Sequence, residues 1–130
     1  NKSIPEVNKI MSEGLFLNKQ ERKAASDEIA FMYATYGPVW YRGMVHSADQ
    51  YHPLYPEDLP KVLDKYKAKR LFVGHTIFDD ITTFYKYKVV AVNVDNKENM
   101  EKKRGRGVLV EDGQMYVIFD SGKKELIREE

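Results

Sequence analysis

The sequence predicts a mixed α/β class fold in an α+β arrangement, with helices first and a mixed or antiparallel sheet after them. Apolar residues recur at helical spacing over 1–68, whereas β-branched runs dominate 69–130 and turn sequences divide the tail into a β-meander. The chain has 130 residues, of which 42% are hydrophobic and none is cysteine. We therefore expect a single domain over 1–130 without a disulfide, a thiolate metal site or a cysteine nucleophile.

Capping and breaking residues delimit the predicted helices of the first half. Pro5 suits the first turn of a short helix that Gly14 would end. Asn18 opens a capping box at the start of one long amphipathic helix over 18–36, and Gly37 would stop that helix. A third helix is expected over 58–68, because apolar residues repeat there at helical spacing and its proline falls in the first turn.

The second half is predicted to form strands, because short apolar and β-branched runs alternate there with turn residues. The predicted strands are Arg70–Val73, Val89–Val94, Val108–Val110, Met115–Phe119 and Glu125–Ile127. The segment 96–106 is polar, charged and without periodicity, and we expect it to be an exposed loop.

The charge of the chain argues against a polyanionic partner. There are 21 basic and 20 acidic side chains, for a formal charge of +1, so the chain has no strong global field. The basic run 102–106 and the aromatic residues Phe84, Tyr85 and Tyr87 could bind nucleic acid, but acidic neighbours dilute the run. No segment approaches the roughly 18 apolar residues of a spanning helix. We expect neither a nucleic acid nor a membrane as partner.

Arg42 and His75 are the residues best placed for chemistry. Arg42 lies among two glycines, a proline and the only tryptophan in Gly37–Gly43, and its planar guanidinium suits bidentate recognition of phosphate or carboxylate. It could instead pair with a surface acid. His75 follows a predicted strand, where a sheet commonly presents a functional group, or it could simply bond to the backbone. His46 and His52 lie in a polar loop and are expected to be solvated.

Two of these segments together resemble a known family. Trp-Tyr-Arg-Gly within Gly37–Gly43, followed by Gly-His-Thr at the end of Leu71–Thr76, resembles the C-terminal part of the calcineurin-like metallophosphoesterases. The resemblance covers about residues 30–127 and favours the bacterial-type serine/threonine protein phosphatase branch. It implies a β-sandwich flanked by helices, of which this chain would be the C-terminal fragment.

The resemblance implies hydrolysis of phosphomonoesters at a two-metal centre, where a metal-bridging hydroxide attacks phosphorus. His75 would be a metal ligand, and Arg42 would bind the phosphate oxygens with support from Trp40 and Tyr41. The cofactors would be two divalent ions (Mn, Fe or Zn) in the full-length parent. The family's other ligand segments have no counterpart here, so the isolated chain is expected to hold no metal and to be inactive.

The resemblance leaves partners and an alternative function to be distinguished. The substrate would be a phosphorylated protein or a small phosphomonoester. The alternative is a non-catalytic binding or regulatory module that keeps the phosphatase-like half-fold and docks an anionic partner through the region of Arg42. A truncated fold would expose apolar surface, so self-association is also expected. The metal, the physiological substrate and the cellular location are left open by the sequence.

Overall fold

The computed structural model describes residues 2–128 and divides into two compact units. The first unit ends at Tyr55 and the second begins at Pro56. Within the described residues, the first unit is helical, and the second contains two further helices and the strands. This order confirms the mixed class with helices first, while the single domain over 1–130 stays a prediction. No helix described within 2–128 is both long enough and apolar enough to cross a bilayer.

Three α-helices and one turn of 3₁₀ helix form the first unit. Side-chain caps begin the first two helices, because Ser3 and Asn18 each form a capping box with the glutamate three residues later. A proline lies in the first turn of the first helix, as predicted. The elements are α1 (Ile4–Gly14), α2 (Lys19–Ala25), α3 (Asp27–Met32) and the 3₁₀ helix Asp49–Tyr51.

The prediction of one long helix over 18–36 is wrong. Ser26 is extended, with φ −169°, and separates α2 from α3. Its hydroxyl accepts a hydrogen bond of 3.1 Å from the backbone N–H of Ile29, so the serine caps a new helix instead of continuing the old one. The helical spacing of the apolar residues holds for Ile29 and Met32, which are both buried. Both belong to α3, so the spacing describes α3 and not one helix over 18–36.

Two three-stranded sheets and two helices form the second unit. The strands are β1 (Leu71–Val73), β2 (Thr82–Phe84), β3 (Val89–Ala91), β4 (Arg106–Glu111), β5 (Gln114–Phe119) and β6 (Lys124–Leu126). In the first sheet, β3 lies between β1, which is parallel to it, and β2, which is antiparallel. The other sheet is the antiparallel meander β4-β5-β6, which confirms the predicted tail. A β-sandwich of these sheets stays a prediction.

The core of the second unit centres on β3. Val89, Val90 and Ala91 are all buried, as expected for a central strand covered on both faces. The helix α4 (Leu59–Lys65), predicted over 58–68, buries Leu59 and Leu63 on one face. These apolar residues, together with Val94 and Met115, hold the unit together by removing apolar surface from water.

The segment 96–106 is not the loop that the sequence predicted. It contains the helix α5 (Asn96–Glu101), and β4 begins at Arg106. The carboxylate of Asp95 accepts a 3.0 Å hydrogen bond from the backbone N–H of Glu98 and so caps this helix. An ion pair between Glu98 and Lys102, one helical turn apart, supports it further. The residue that α5 buries is a polar one, Asn99, so hydrophobic periodicity could not reveal the helix.

Candidate functional site

A compact turn directly after α3 carries the predicted anion-binding segment. The backbone N–H of Gly37 donates to the carbonyl of Ala34 at 2.9 Å. The carbonyl of Gly37 accepts from the N–H groups of Trp40 and Tyr41 at 3.1 and 2.9 Å. A side chain at position 37 would place its Cβ only 2.0 Å from the carbonyl oxygen of Phe31. The turn therefore requires glycine at position 37, because the backbone passes against the end of α3.

This turn holds Arg42 next to the only tryptophan of the chain. The guanidinium carbon of Arg42 lies 5.7 Å from the centroid of the Trp40 ring, within the range of a cation–π interaction. The carbonyl of Arg42 accepts hydrogen bonds from the N–H groups of Val45 and His46, at 3.0 and 3.1 Å. The hydroxyl of Tyr41 donates to the carbonyl of His52 at 2.7 Å. Arg42 is thus presented from a bonded loop, beside an aromatic ring.

Arg42 and Trp40 line a pocket of about 680 Å³ that lies entirely within the first unit. The volume falls within the range typical of small-molecule sites, about 300 to 1,000 Å³. Four cationic side chains and one carboxylate line the pocket, and its other walls are aromatic or small. The residues are Lys19, Arg22, Lys23 and Arg42, then Asp27, then Tyr33 and Trp40, and finally Ala30, Ala34 and Thr35. This charge balance favours an anionic ligand.

Arg22 has a structural role in this pocket. Its Nε donates to the carbonyl of Gly14 at 2.8 Å, and its Nη2 donates to the carbonyl of Leu15 at 3.3 Å. Its guanidinium carbon also lies 3.7 Å from the centroid of the Tyr33 ring. Tyr33 in turn donates from its hydroxyl to the carbonyl of Met11 at 2.5 Å. These bonds fix Arg22 as part of the pocket wall and connect α1 to α3. Its positive charge therefore acts on a ligand mainly through the electrostatic field of the pocket and not through a hydrogen bond.

The lysines and Arg22 were not identified from the sequence. Lys19, Arg22 and Lys23 have the spacing i, i+3, i+4 on α2, which places them on one face of the helix. That spacing was the available signal for a basic helix face. The proximity of this face to Arg42 could not be inferred from the sequence, because the pocket forms only when α3 and the turn after it fold beside α2.

His75 lies in the second unit, at the carboxyl end of β1. Its backbone is left-handed, with φ 71°, and its N–H donates to Oδ1 of Asn93 at 3.2 Å. Asn93 follows β3, which is parallel to β1, so both residues lie at the same edge of the sheet. A left-handed conformation is uncommon for a residue with a side chain and draws attention to His75. Its role as a metal ligand stays a prediction.

The other candidate histidines contact aromatic rings. His46 stacks on Tyr51 with ring centroids 4.5 Å apart, and His52 meets the edge of Tyr36 at 4.7 Å. Both histidines lie outside helices and strands, as predicted, and His52 is exposed while His46 is half-buried.

The basic run 102–106 is partly neutralised. Lys102 pairs with Glu98, and Nε of Arg106 lies 3.2 Å from a carboxylate oxygen of Asp80. Phe84 ends β2, and Tyr85 and Tyr87 lie in the tight connection from β2 to β3, where burial raises the pKa of Tyr85. The two ion pairs therefore offset part of the positive charge of the run.

The residues described do not fit the predicted two-metal centre. Within 2–128, no group of three or more histidine, aspartate or glutamate side chains is arranged so that it could hold a metal ion. A centre of two divalent ions requires several such ligands converging from different elements. His75 supplies one imidazole. The prediction of two divalent ions in the full-length parent is corrected by the comparisons that follow.

Three solved structures match almost the whole chain. They are a cold-active protein tyrosine phosphatase solved at 1.1 Å, a point mutant of a cold-active protein tyrosine phosphatase, and the cold-active protein-tyrosine phosphatase of a psychrophilic Shewanella species. Each match has a TM-score of 0.81 at 23% sequence identity and covers 98% of this chain. The chain spans only 35 to 36% of the length of those structures. These matches show that the two proteins share a fold.

The sequence comparisons found nothing further, since no protein-family model and no curated protein sequence matches the chain. The matched structures are described as protein tyrosine phosphatases, where the sequence predicted a serine/threonine phosphatase. The assignment to the serine/threonine branch of the calcineurin-like metallophosphoesterases is corrected accordingly. The function assigned through it, hydrolysis at a two-metal serine/threonine phosphatase centre, is withdrawn with it.

Proposed function

We propose that this chain is the phosphate-binding part of a phosphatase that acts on phosphotyrosine, and that Arg42 binds the phosphate group. The observation that carries the proposal is the pocket of the first unit, which four cationic side chains and only one carboxylate line. The shared fold with a tyrosine phosphatase supports the choice of a phosphomonoester among possible anions.

Arg42 suits this role because of its geometry. A guanidinium presents its N–H groups as a planar fork that matches two phosphate oxygens, and charge-assisted hydrogen bonds of this kind are the strong ones. The nearby Trp40 ring is the natural contact for the aromatic part of the substrate, because aromatic pairs are favourable in offset or edge arrangements. Trp40 is 44% exposed, so part of its surface is accessible to a ligand. Lys19 and Lys23 add positive field at the pocket wall.

The proposal assigns this chain the binding of phosphate and not the attack on phosphorus. The chain contains no cysteine that could act as a thiolate nucleophile. His75, the predicted ligand of the second unit, is not part of the pocket of the first unit. Binding is therefore the activity to test on the chain itself.

The only tryptophan of the chain lines the pocket, so its fluorescence reports directly on occupancy. We would titrate the chain with phenyl phosphate and, in parallel, with phenol. We expect a saturable change with phenyl phosphate only. In Arg42→Gln the dissociation constant should rise about tenfold or more, because hydrogen bonds to charged groups contribute about 1.5 to 3 kcal/mol.

Arg104→Gln is the matched control, because Arg104 is exposed in the second unit and does not line the pocket. This variant should bind phenyl phosphate as the wild-type chain does. Equal affinity of Arg42→Gln and the wild-type chain would contradict the proposal.

A further inference from the structure

Two large apolar side chains are strongly exposed in the turn between α1 and α2. Phe16 is 93% exposed and Leu15 is 55% exposed. We call this pair the apolar tip. Single exposed apolar residues are common on protein surfaces, whereas two neighbouring ones offer a partner a contiguous apolar surface.

Hydrogen bonds hold the apolar tip in place. Arg22 donates to the carbonyls of Gly14 and Leu15, immediately before Phe16. The backbone N–H of Leu17, immediately after Phe16, donates to the carbonyl of Gly14 at 3.2 Å. The turn is thus bonded on both sides of the exposed ring. The backbone that carries the ring is therefore already fixed, and only the side-chain rotamers of Phe16 remain to be ordered when it binds a partner.

The apolar tip adjoins the cationic pocket. Lys19, which lines the pocket, comes three residues after Phe16, and three residues span at most about 11 Å even when fully extended. Arg22 is itself a pocket residue and bonds to the tip. Neither Leu15 nor Phe16 lines the pocket. A ligand that contacts both places must therefore extend out of the pocket along α2.

The electrostatics of this path favour an acidic ligand. Lys19 and Lys23 are exposed on α2 and belong to the pocket wall. A chain that carried carboxylates beside its phosphate would meet these lysines as it left the pocket. A small phosphomonoester confined to the pocket would not reach Phe16.

We propose that the substrate is a phosphorylated polypeptide with acidic residues and an apolar residue near the phosphotyrosine, and that Phe16 determines this specificity by binding the apolar side chain. This inference rests on the proposed function, because it takes Arg42 as the group that binds the phosphate. It adds the class of substrate and a residue, Phe16, outside the pocket.

The test compares two ligands on the wild-type chain and on Phe16→Ala, again by the fluorescence of Trp40. One ligand is phenyl phosphate, and the other is an acidic phosphotyrosyl peptide with leucines on both sides of the phosphotyrosine. A peptide with serines in place of the leucines is the ligand control. Phe16→Ala should weaken binding of the leucine peptide about tenfold, as expected for an interface anchor, and leave phenyl phosphate and the serine peptide unchanged.

Phe31→Ala is the matched variant, because Phe31 is a phenylalanine of α3 that is 55% exposed and does not line the pocket. It should bind all three ligands as the wild-type chain does. Unchanged leucine-peptide binding in Phe16→Ala would overturn the inference, and so would an equal loss in Phe31→Ala or a loss of phenyl phosphate binding in Phe16→Ala. If the wild-type chain bound none of the three ligands, the proposed function would be refuted instead.

Discussion

Gly37→Ala should destabilise the first unit strongly, because the new methyl group has no space. Its carbon would lie 2.0 Å from the carbonyl oxygen of Phe31 and 2.7 Å from that of Met32. Ordinary contact begins at 3.4 Å, so the backbone would have to move by about 1.4 Å against the end of α3. Both contacts are with backbone atoms, which cannot rotate away as a side chain would.

We expect a cost of about 3 kcal/mol, at the upper end of measured overpacking penalties. For a chain of this size, that cost corresponds to a melting temperature lower by about 12 °C. The assay is thermal unfolding followed by circular dichroism, which reports on both units, and by the fluorescence of Trp40, which lies three residues after the substitution and reports on the first unit. Binding of phenyl phosphate should weaken as well, because the same turn carries Arg42.

Gly74→Ala is the matched control, since a methyl group there would meet no atom within 4 Å and no positive φ is required. Its melting temperature should stay within about 2 °C of the wild-type value, corresponding to about 0.5 kcal/mol. If Gly37→Ala and Gly74→Ala melted together, the reasoning about the close approach at position 37 would be refuted.

Three further substitutions test local features of the fold. Lys67→Gly should raise the free energy of unfolding by about 0.5 to 1 kcal/mol. Position 67 is left-handed, with φ 51°, and glycine removes that strain at a smaller cost in chain entropy. An unchanged or lower stability in urea would contradict this. Ser26→Ala should cost about 1 kcal/mol in the same urea assay, since it removes the cap on the N–H of Ile29, whereas a neutral effect would show that α3 does not depend on that cap. Hydrogen bonds from the hydroxyl and N–H of Ser3 lower the pKa of Glu6 below its ordinary value of 4.5. The stability that the charge of Glu6 contributes is therefore complete above pH 4.5, and it is lost as the pH falls through the lowered pKa. Glu6→Gln should therefore flatten the acid limb of the stability profile of the first unit, and an unchanged limb would contradict it.

Residues that act locally made much of the fold predictable. Pro5 and Gly14 lie at the start and end of α1, as the sequence indicated. The turn residues Asp112 and Gly113, both with positive φ, join β4 to β5 in the predicted meander. These signals depend on backbone preferences of a few neighbouring residues, so they can be identified without knowledge of the tertiary structure.

The two wrong predictions, a continuous helix over 18–36 and a loop over 96–106, have one cause: side chains that compete for backbone hydrogen bonds. Ser26 is compatible with a continuous helix by its spacing, but its hydroxyl caps α3 and so begins a new helix. Asp95 similarly begins α5, in a segment whose polar composition suggested a loop. In both places a side chain decided where a helix begins, and hydrophobic spacing alone does not register such a choice.

The candidate site was predictable only in part. The surroundings of Arg42 pointed to anion binding, because aromatic neighbours orient a planar guanidinium for bidentate recognition of phosphate or carboxylate oxygens. The contribution of Lys19 and Lys23 depends on α2 lying beside the turn that carries Arg42, and that is a tertiary relationship. The exposure of Phe16 is likewise a property of the folded turn, since apolar residues are generally expected inside.

The most direct test of phosphate binding by Arg42 is NMR of the arginine side-chain Nε–H groups during titration with phenyl phosphate. The Arg42 signal would be assigned by its loss in Arg42→Gln. We expect this signal to shift saturably, while that of Arg22, bonded to the carbonyl of Gly14, shifts less. A saturable shift of Arg22 or another arginine with Arg42 unmoved, or no shift at any arginine, would contradict the assignment of the phosphate to Arg42.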